Sequence, residues 1–436
     1  MSDNWRKAGL AGAAIGVIAA GAAAGVAVER LTVGRGVRMK ARLVLDAAGD
    51  YGSLRGTPGT VLAEDGTELY YETEETGPGA PGGASGATPV AGEEDGSAAV
   101  GTGAGAGTVG SGEAVDPAAG RPPRKRRFRR GRPAAAETAA RAPLTVVFCH
   151  GYCLSQDAWH FQRAALRGVV RAVYWDQRSH GRSARGAAQA AGESLTIDQL
   201  GRDLKAVIDR AAPEGPLVLV GHSMGGMTIM ALGAQFPELV RDRVVGVAFV
   251  GTSSGRLGEV TYGLPAAGMG LVRRVLPGVL RALGSEVDLV ERGRRATADL
   301  FAGAVKRYSF GTKDVDPGVA RFAERLIEAT PIDVVAEFYP AFEPHDKTAE
   351  LAVFAGLPSL VMAGEKDLIT PAAHGEAIAA ELPGTDLAVL PDTGHLLMLE
   401  RPEEVTERLA ALLERAGAGP AAANVGAYGS TAHQAP

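Results

Sequence analysis

The run Leu217-Val218-Leu219-Val220-Gly221-His222-Ser223-Met224-Gly225-Gly226 constrains the fold of this chain more than any other stretch. Its apolar residues stop at a serine enclosed by glycines, and Met227-Thr228-Ile229-Met230-Ala231-Leu232 follows. The pattern predicts a buried strand, a one-residue turn and a helix. A side chain at position 221 or 225 would collide where strand and helix pass close together, so both positions need glycine and the Ser223 hydroxyl is left exposed above the sheet. Between a strand and a helix, G-x-S-x-G is a nucleophile elbow. A phosphate loop or a plain tight turn can share five residues by chance, so the rest of the chain has to distinguish them.

At 436 residues and 46% hydrophobic content, the chain can build one large domain or two ordinary ones around a sizeable core. A net charge of -5 argues against a nucleic-acid partner for the chain as a whole. Cys149 and Cys153 are too close in sequence to staple a fold and have no metal-ligand company, so Cys149 reads as a small core residue and no oxidising compartment is required.

Around the elbow, strand and helix patterns alternate. Asp65-Gly66 between two polar-apolar runs predicts a hairpin with a two-residue turn. Leu144 to Cys149 reads as a buried strand ending at His150-Gly151-Tyr152, Asp157 to Gly168 as a helix, and Val169 to Trp175 as a strand leading into the turn Asp176 to Ser183. A further helix carries Ile197, Leu200, Leu204, Val207 and Ile208 on one face. Beyond the elbow come the strand Val244 to Val250, the strand Leu357 to Gly364, the helix Pro371 to Leu382, the strand Asp386 to Leu390 and a last helix opened by Pro402. Such alternation implies a parallel sheet covered on both faces, with functional groups at the carboxyl ends of its strands. Between Gly251 and Ala355 it breaks into helical pieces, among them Met269 to Leu283 and Asp288 to Phe301, which we read as a helical cap over residues 253–355.

Three further segments stand apart from the alternating body at 59–415. Ala8 to Val28 carries no charge and is long enough for a single membrane-crossing helix within residues 1–30; a cleaved secretory signal and a soluble Ala-rich helix are the second and third readings. Arg30, Arg35, Arg38, Lys40 and Arg42 follow the span, which places the downstream domain in the cytoplasm. Residues 77–143 are dominated by Gly, Ala, Pro, Ser and Thr, a composition that predicts disorder. Within them Arg121, Arg124, Lys125, Arg126, Arg127, Arg129, Arg130 and Arg132 form a basic cluster: a solvated charge run first, a contact for anionic lipid second, nucleic-acid binding third. The tail 416–436 reads as loose.

A serine hydroxyl needs a base within hydrogen-bond reach, itself held by a third group, and after an elbow the expected chain order is serine, acid, histidine. Asp367 follows the strand ending Ala363-Gly364, and His395 lies on the loop after the next strand, in Asp392-Thr393-Gly394-His395. Asp367 could instead cap the helix before Pro371, and His395 could be a surface residue; together with Ser223 they form a candidate catalytic set. Asp392 is the alternative acid to Asp367 but has no strand of its own to place it. His222 should pack beside the nucleophile, while His180 belongs to a turn held by Asp176 and Arg178. An oxyanion needs two backbone donors, which the N–H of Met224 and, after Gly151, the N–H of Tyr152 can supply.

Taken together, His150-Gly151, Asp176-x-Arg178-x-x-Gly181-x-Ser183, Gly221-His222-Ser223-Met224-Gly225-Gly226, Gly364-x-x-Asp367 and Gly394-His395 resemble the alpha/beta-hydrolase superfamily, serine-nucleophile type. The resemblance spans about residues 59 to 76 and 144 to 415. It implies an α/β fold with an eight-stranded, mostly parallel sheet and a cap, a Ser223-Asp367-His395 triad, Tyr152 and Met224 as oxyanion donors, and no cofactor. Ser179 stands where the Asp176 turn of this family usually has glycine, and the insertion 77–143 is foreign to its pattern. The expected function is hydrolysis of a carboxylic ester, a small lipophilic molecule if Leu264, Met269, Leu271, Val272, Leu276, Val279, Leu280 and Leu283 line the site and are not simply a helix's core stripe. Perhydrolase, thioesterase and carbon–carbon hydrolase chemistry use the same residues, and a non-catalytic membrane-tethered scaffold is the reading of another class.

Overall fold

The computed structural model describes residues 50–77, 142–263 and 298–418, with the isolated positions 274, 275 and 278. The expected membrane helix at Ala8 to Val28, nearly all of the 77–143 insertion with its basic cluster, almost all of Met269 to Leu283 and most of the tail lie outside these residues. No helix among the described residues is long and apolar enough to cross a membrane.

Eight strands form one sheet: β1 (Thr57–Leu62), β2 (Glu68–Glu74), β3 (Thr145–Cys149), β4 (Arg171–Trp175), β5 (Leu217–His222), β6 (Val244–Val250), β7 (Ser359–Gly364) and β8 (Asp386–Leu390). Their spatial order is β1-β2-β4-β3-β5-β6-β7-β8, antiparallel for β1 with β2 and β2 with β4, parallel elsewhere. The chain leaves β3 toward β4 on one side and returns to place β5 on the other. The carboxyl ends of β3 and β5 therefore flank the point where the connections diverge, the position at which parallel sheets of this kind open a crevice. Register sharpens this: Cys149 pairs with Gly221, so the loops beginning at His150 and Ser223 leave the sheet side by side.

Strand residues alternate between two cores. Val146, Phe148, Val218, Val220, Ala248, Leu360 and Met362 face one apolar cluster, whose other wall includes the helices α1 (His160–Leu166) and α8 (Pro402–Arg415). Val147, Cys149, Leu217, Leu219, Val247, Phe249 and Val361 face the second cluster, against α2 (Ile197–Ala211), α3 (Met224–Gln235) and α7 (Ala372–Glu381). The apolar face expected of α2 is buried as its spacing required, and Thr196 caps the helix by accepting from the N–H of Gln199. Both sheet faces being covered explains why β5 is apolar from Leu217 to Val220 and does not alternate.

Between β6 and β7 the described residues hold no strand, but the helices α4 (Ala298–Ser309), α5 (Pro317–Glu328) and α6 (Ile332–Phe338). Asp316 starts α5 by accepting from the N–H groups of Gly318 and Val319, with Pro317 in the first helical turn.

The β1–β2 hairpin departs from the expected two-residue turn. Ala63 N–H donates to Thr67 O and Gly66 N–H to Ala63 O, so the loop has three residues, and Gly66, at φ 82, takes the left-handed position while Asp65 does not. The reason is long-range: the Asp65 carboxylate accepts from Arg178, with its Oδ2 2.7 Å from Nη1. Arg178 is buried and also grips Asp203 through two bonds of 2.6 Å, while Asp176 Oδ1 and Oδ2 accept from the N–H groups of Gln156 and Arg182. The Asp176 turn is thus the loop-holding device its sequence suggested, and Ser179 adopts the left-handed conformation at φ 63 that glycine would take more easily.

Candidate active site

Ser223 is the whole connection between β5 and α3, at φ 51 and ψ -119, a backbone conformation that persists for a non-glycine residue only when its surroundings hold it. Bonds to the next strand and the loop after it help to hold it here. Ser223 N–H donates to Val250 O at 3.0 Å, and Thr252 Oγ1 donates to Ser223 O at 2.6 Å. The glycine requirement is steric, as expected: a Cβ on Gly221 would lie 2.6 Å from the Gly225 backbone, and one on Gly225 would lie 2.2 Å from Cys149 O.

Asp367 and His395 follow β7 and β8, which pair in parallel with Gly364 opposite Leu390, so their loops rise together. Lys366 N–H donates to Thr393 O at 2.9 Å and ties the two loops. His395 Nδ1 donates to Asp367 Oδ2 at 2.8 Å, which leaves Nε2 to accept from Ser223 Oγ at 3.0 Å. Side chains far apart along the chain thus form one continuous hydrogen-bonded row, and all three residues are buried. Burial pushes the Asp367 carboxyl up, but the His395 ring and the N–H groups of Thr370 and Ile369 outweigh it, so its pKa falls below the ordinary value. The carboxylate is ionised at neutral pH and favours the Nδ1–H form of the imidazole.

The other candidates resolve differently. Asp392 is exposed, pairs with Lys366 and takes no part in the row. His222 packs beside the nucleophile as expected, its Nε2 donating to His395 O at 2.9 Å and its ring 4.8 Å from that of His395. His160, a further histidine near the elbow's neighbouring strands, packs against Tyr51, Phe161 and Phe322 and takes no part in the row. Burial, with His395 nearby, holds the His222 imidazole down to about 3; burial holds His150 at about 4 and, with His150 beside it, His180 at about 3. These rings are neutral at physiological pH. Cys149 is the core residue its sequence suggested, with burial raising its thiol to about 12, and the Cys153 thiol is raised likewise.

Met224 opens α3, where the first N–H groups have no intrahelical partner. Tyr152 follows Gly151, and a Cβ on Gly151 would stand 3.1 Å from Ser223 Cβ, which measures how closely that loop passes the serine. Among the described residues no cluster of His, Cys, Asp and Glu is arranged to hold a metal ion.

Sequence reasoning missed Thr370, Thr252 and Glu400. Thr370 Oγ1 donates to Asp367 Oδ2 at 2.9 Å and lies 3.3 Å from His395 Nδ1. Glu400 Oε2 accepts from the N–H of Gly394 at 2.7 Å and so braces the His395 loop. A hydroxyl three residues after the acid was a usable signal for Thr370; the partners of Thr252 and Glu400 are set by the fold.

Residues 146–408 match the family model described as the alpha/beta hydrolase family. The chain belongs to that family. Among curated proteins, this alpha/beta hydrolase is 26% identical over 273 residues to the dihydrolipoyllysine-residue acetyltransferase component of an acetoin cleaving system of Pseudomonas putida, covering 63% of this chain and 64% of the relative. A counterpart from Cupriavidus necator is 28% identical, with 60% and 61% covered, so the chain spans less than two thirds of the length of either. The sn-1-specific diacylglycerol lipase of Mus musculus is 24% identical, covering 62% of this chain and 80% of the lipase. Among solved structures, an esterase from Rhodococcus sp. aligns with a TM-score of 0.54 at 17% identity over 83% of this chain and 100% of that one. A thermophilic esterase from Thermogutta terrifontis aligns at 0.53 and 21% identity, over 82% and 98%. At these identities the structural likeness concerns the fold, and family membership supports hydrolase activity for the alpha/beta hydrolase described here.

Proposed function

We propose that this protein is a serine hydrolase of carboxylic esters. The observation that carries the reading is the row from Asp367 through His395 to Ser223, with bonds of 2.8 and 3.0 Å ending on a strained elbow. In the proposed reaction Ser223 Oγ attacks the ester carbonyl as His395 Nε2 takes its proton, and Asp367 orients the ring and balances the imidazolium. The N–H groups of Met224 and Tyr152 hold the tetrahedral oxyanion. Its collapse expels the alcohol, protonated by His395, and leaves an acyl group on Ser223; water activated by the same imidazole then releases the acid. The relatives named as a diacylglycerol lipase and, from Acinetobacter baylyi, as 3-oxoadipate enol-lactonases agree with an ester or lactone carbonyl as the point of attack.

Labelling the native chain and Ser223→Ala with a fluorophosphonate probe tests this reading. Labelling that depends on Ser223 is expected; equal labelling of the two chains refutes it. A panel of p-nitrophenyl esters of rising acyl length then reports the preferred acyl group. We further propose, on the sequence alone, that Ala8 to Val28 tethers the enzyme to a membrane with Arg121 to Arg132 adding attraction to anionic lipid. Fractionation of the full chain against one lacking residues 1 to 30 tests the tether.

A further inference from the structure

The proposed reaction uses only the backbone of Tyr152, yet its side chain is strongly engaged. Tyr152 Oη donates to Val335 O at 2.5 Å, joining the loop after β3 to the middle of α6. Its ring stacks on Phe338, with centroids 6.1 Å apart and planes 18° from parallel, and meets Phe342 edge-on at 5.1 Å. Phe338 is fully buried and also packs edge-on against His180 at 4.8 Å, while His180 Nε2 accepts from the N–H of Cys153, the residue after Tyr152. Met224, the other proposed oxyanion residue, lies in the same apolar cluster as Val334, Phe338 and Ala341, with Tyr152 packed against it. Arg185 fastens α6 at a second point through Asp333, at 3.0 Å, and Glu337. One short helix between β6 and β7 therefore rests on both residues whose N–H groups would face the oxyanion.

We infer that Tyr152 is a positioning residue: its hydroxyl and ring lock the oxyanion loop to α6, so that the loop's N–H is held where negative charge develops. This inference rests on the Ser223 reading. The loop needs such a lock because Cys153 sits in the left-handed region at φ 59, which an L-residue keeps only when its neighbours over-determine it. Oxyanion donors work by being aimed before the reaction starts, and they bind the transition state more strongly than the ground state. Loosening one should lower kcat and leave KM nearly unchanged.

The test is steady-state hydrolysis of p-nitrophenyl acetate by the full chain, comparing the native protein with Tyr152→Phe, Phe338→Leu and Ser223→Ala. Tyr152→Phe removes the bond to Val335 O but keeps the ring and the backbone donor; kcat should fall about tenfold, the scale of one buried hydrogen bond, with KM within about twofold. Phe338→Leu removes the stack without changing any residue of the loop and should give the same kcat-selective loss, which decides the matter if Tyr152→Phe does not fold. Unchanged kcat in both variants, or a raised KM at unchanged kcat, overturns the inference. If Ser223→Ala hydrolyses the ester as fast as the native chain, the underlying serine reading fails; if it is inactive while both other variants keep full kcat, only the role of Tyr152 fails.

Discussion

Three neutral histidines buried around the serine make this fold sensitive to acid, and His150→Gln isolates one of them. His150 is fully buried at the end of β3, donating from Nδ1 to Gly151 O at 2.7 Å and accepting at Nε2 from the N–H of Gln177 at 2.9 Å. Burial takes its pKa from an ordinary 6.5 to about 4. A depressed imidazole contributes stability above pH 6.5, where neither state binds the proton, and loses it as pH falls toward 4, because the unfolded chain protonates first. At 1.36 kcal/mol per pH unit, lowering the pH from 7 to 5 costs about 2 kcal/mol through this residue alone. Glutamine can keep the acceptor for Gln177 but carries no titrating group. His150→Gln should therefore be less stable than the native chain at pH 7, with the gap narrowing by about 2 kcal/mol at pH 5. Comparing the two proteins cancels the opposing contribution of Asp203, whose buried carboxyl is raised to about 6 and takes up a proton over part of the same range. Urea unfolding at several pH values gives the gap directly. A gap constant to within about 0.5 kcal/mol would mean that His150 titrates alike in both states and that the reasoning is wrong.

The remaining expectations concern the site. Ser223→Ala should lower kcat for ester hydrolysis by about 10⁶-fold in a stopped assay while leaving the circular dichroism spectrum native, since alanine adds no atom to the elbow. Asp367→Asn should lower kcat by about 10⁴-fold through loss of the preferred imidazole tautomer, and Thr370→Val, which deletes one donor to the same carboxylate, by about tenfold; steady-state kinetics ranks the two. In Gly225→Ala the new methyl would meet Cys149 O at 2.2 Å, forcing strand and helix apart, so soluble, monodisperse protein should be lost on gel filtration.

Much of the framework was legible in the chain because it is local. β6 and β8 run from Val244 to Val250 and from Asp386 to Leu390, and α8 from Pro402 to Arg415, as their patterns indicated. The elbow was legible for the same reason: the need for glycine at 221 follows from one strand turning into one helix within a single residue, although at 225 the close neighbour is Cys149 O on the adjacent strand. The hairpin turn was misjudged because Arg178, distant in sequence, holds the Asp65 carboxylate. Thr252 passed unnoticed because its value lies in reaching Ser223 O, a partner no spacing rule connects to it. The work of the Tyr152 side chain was not legible either, because its partners Val335 and Phe338 lie far along the chain.

By itself, then, the sequence determined which elements form and which residue types stand at their ends, since propensity, periodicity and steric need act over a few neighbouring residues. Only tertiary structure decided which of those ends meet. Cys149 opposite Gly221 and Gly364 opposite Leu390 are pairings between strands far apart in the chain, and they bring Tyr152 beside Ser223 and Asp367 beside His395. Hydrogen-bond distances of about 3 Å tolerate little error. They arise here from the sheet's register, a property of all its strands together.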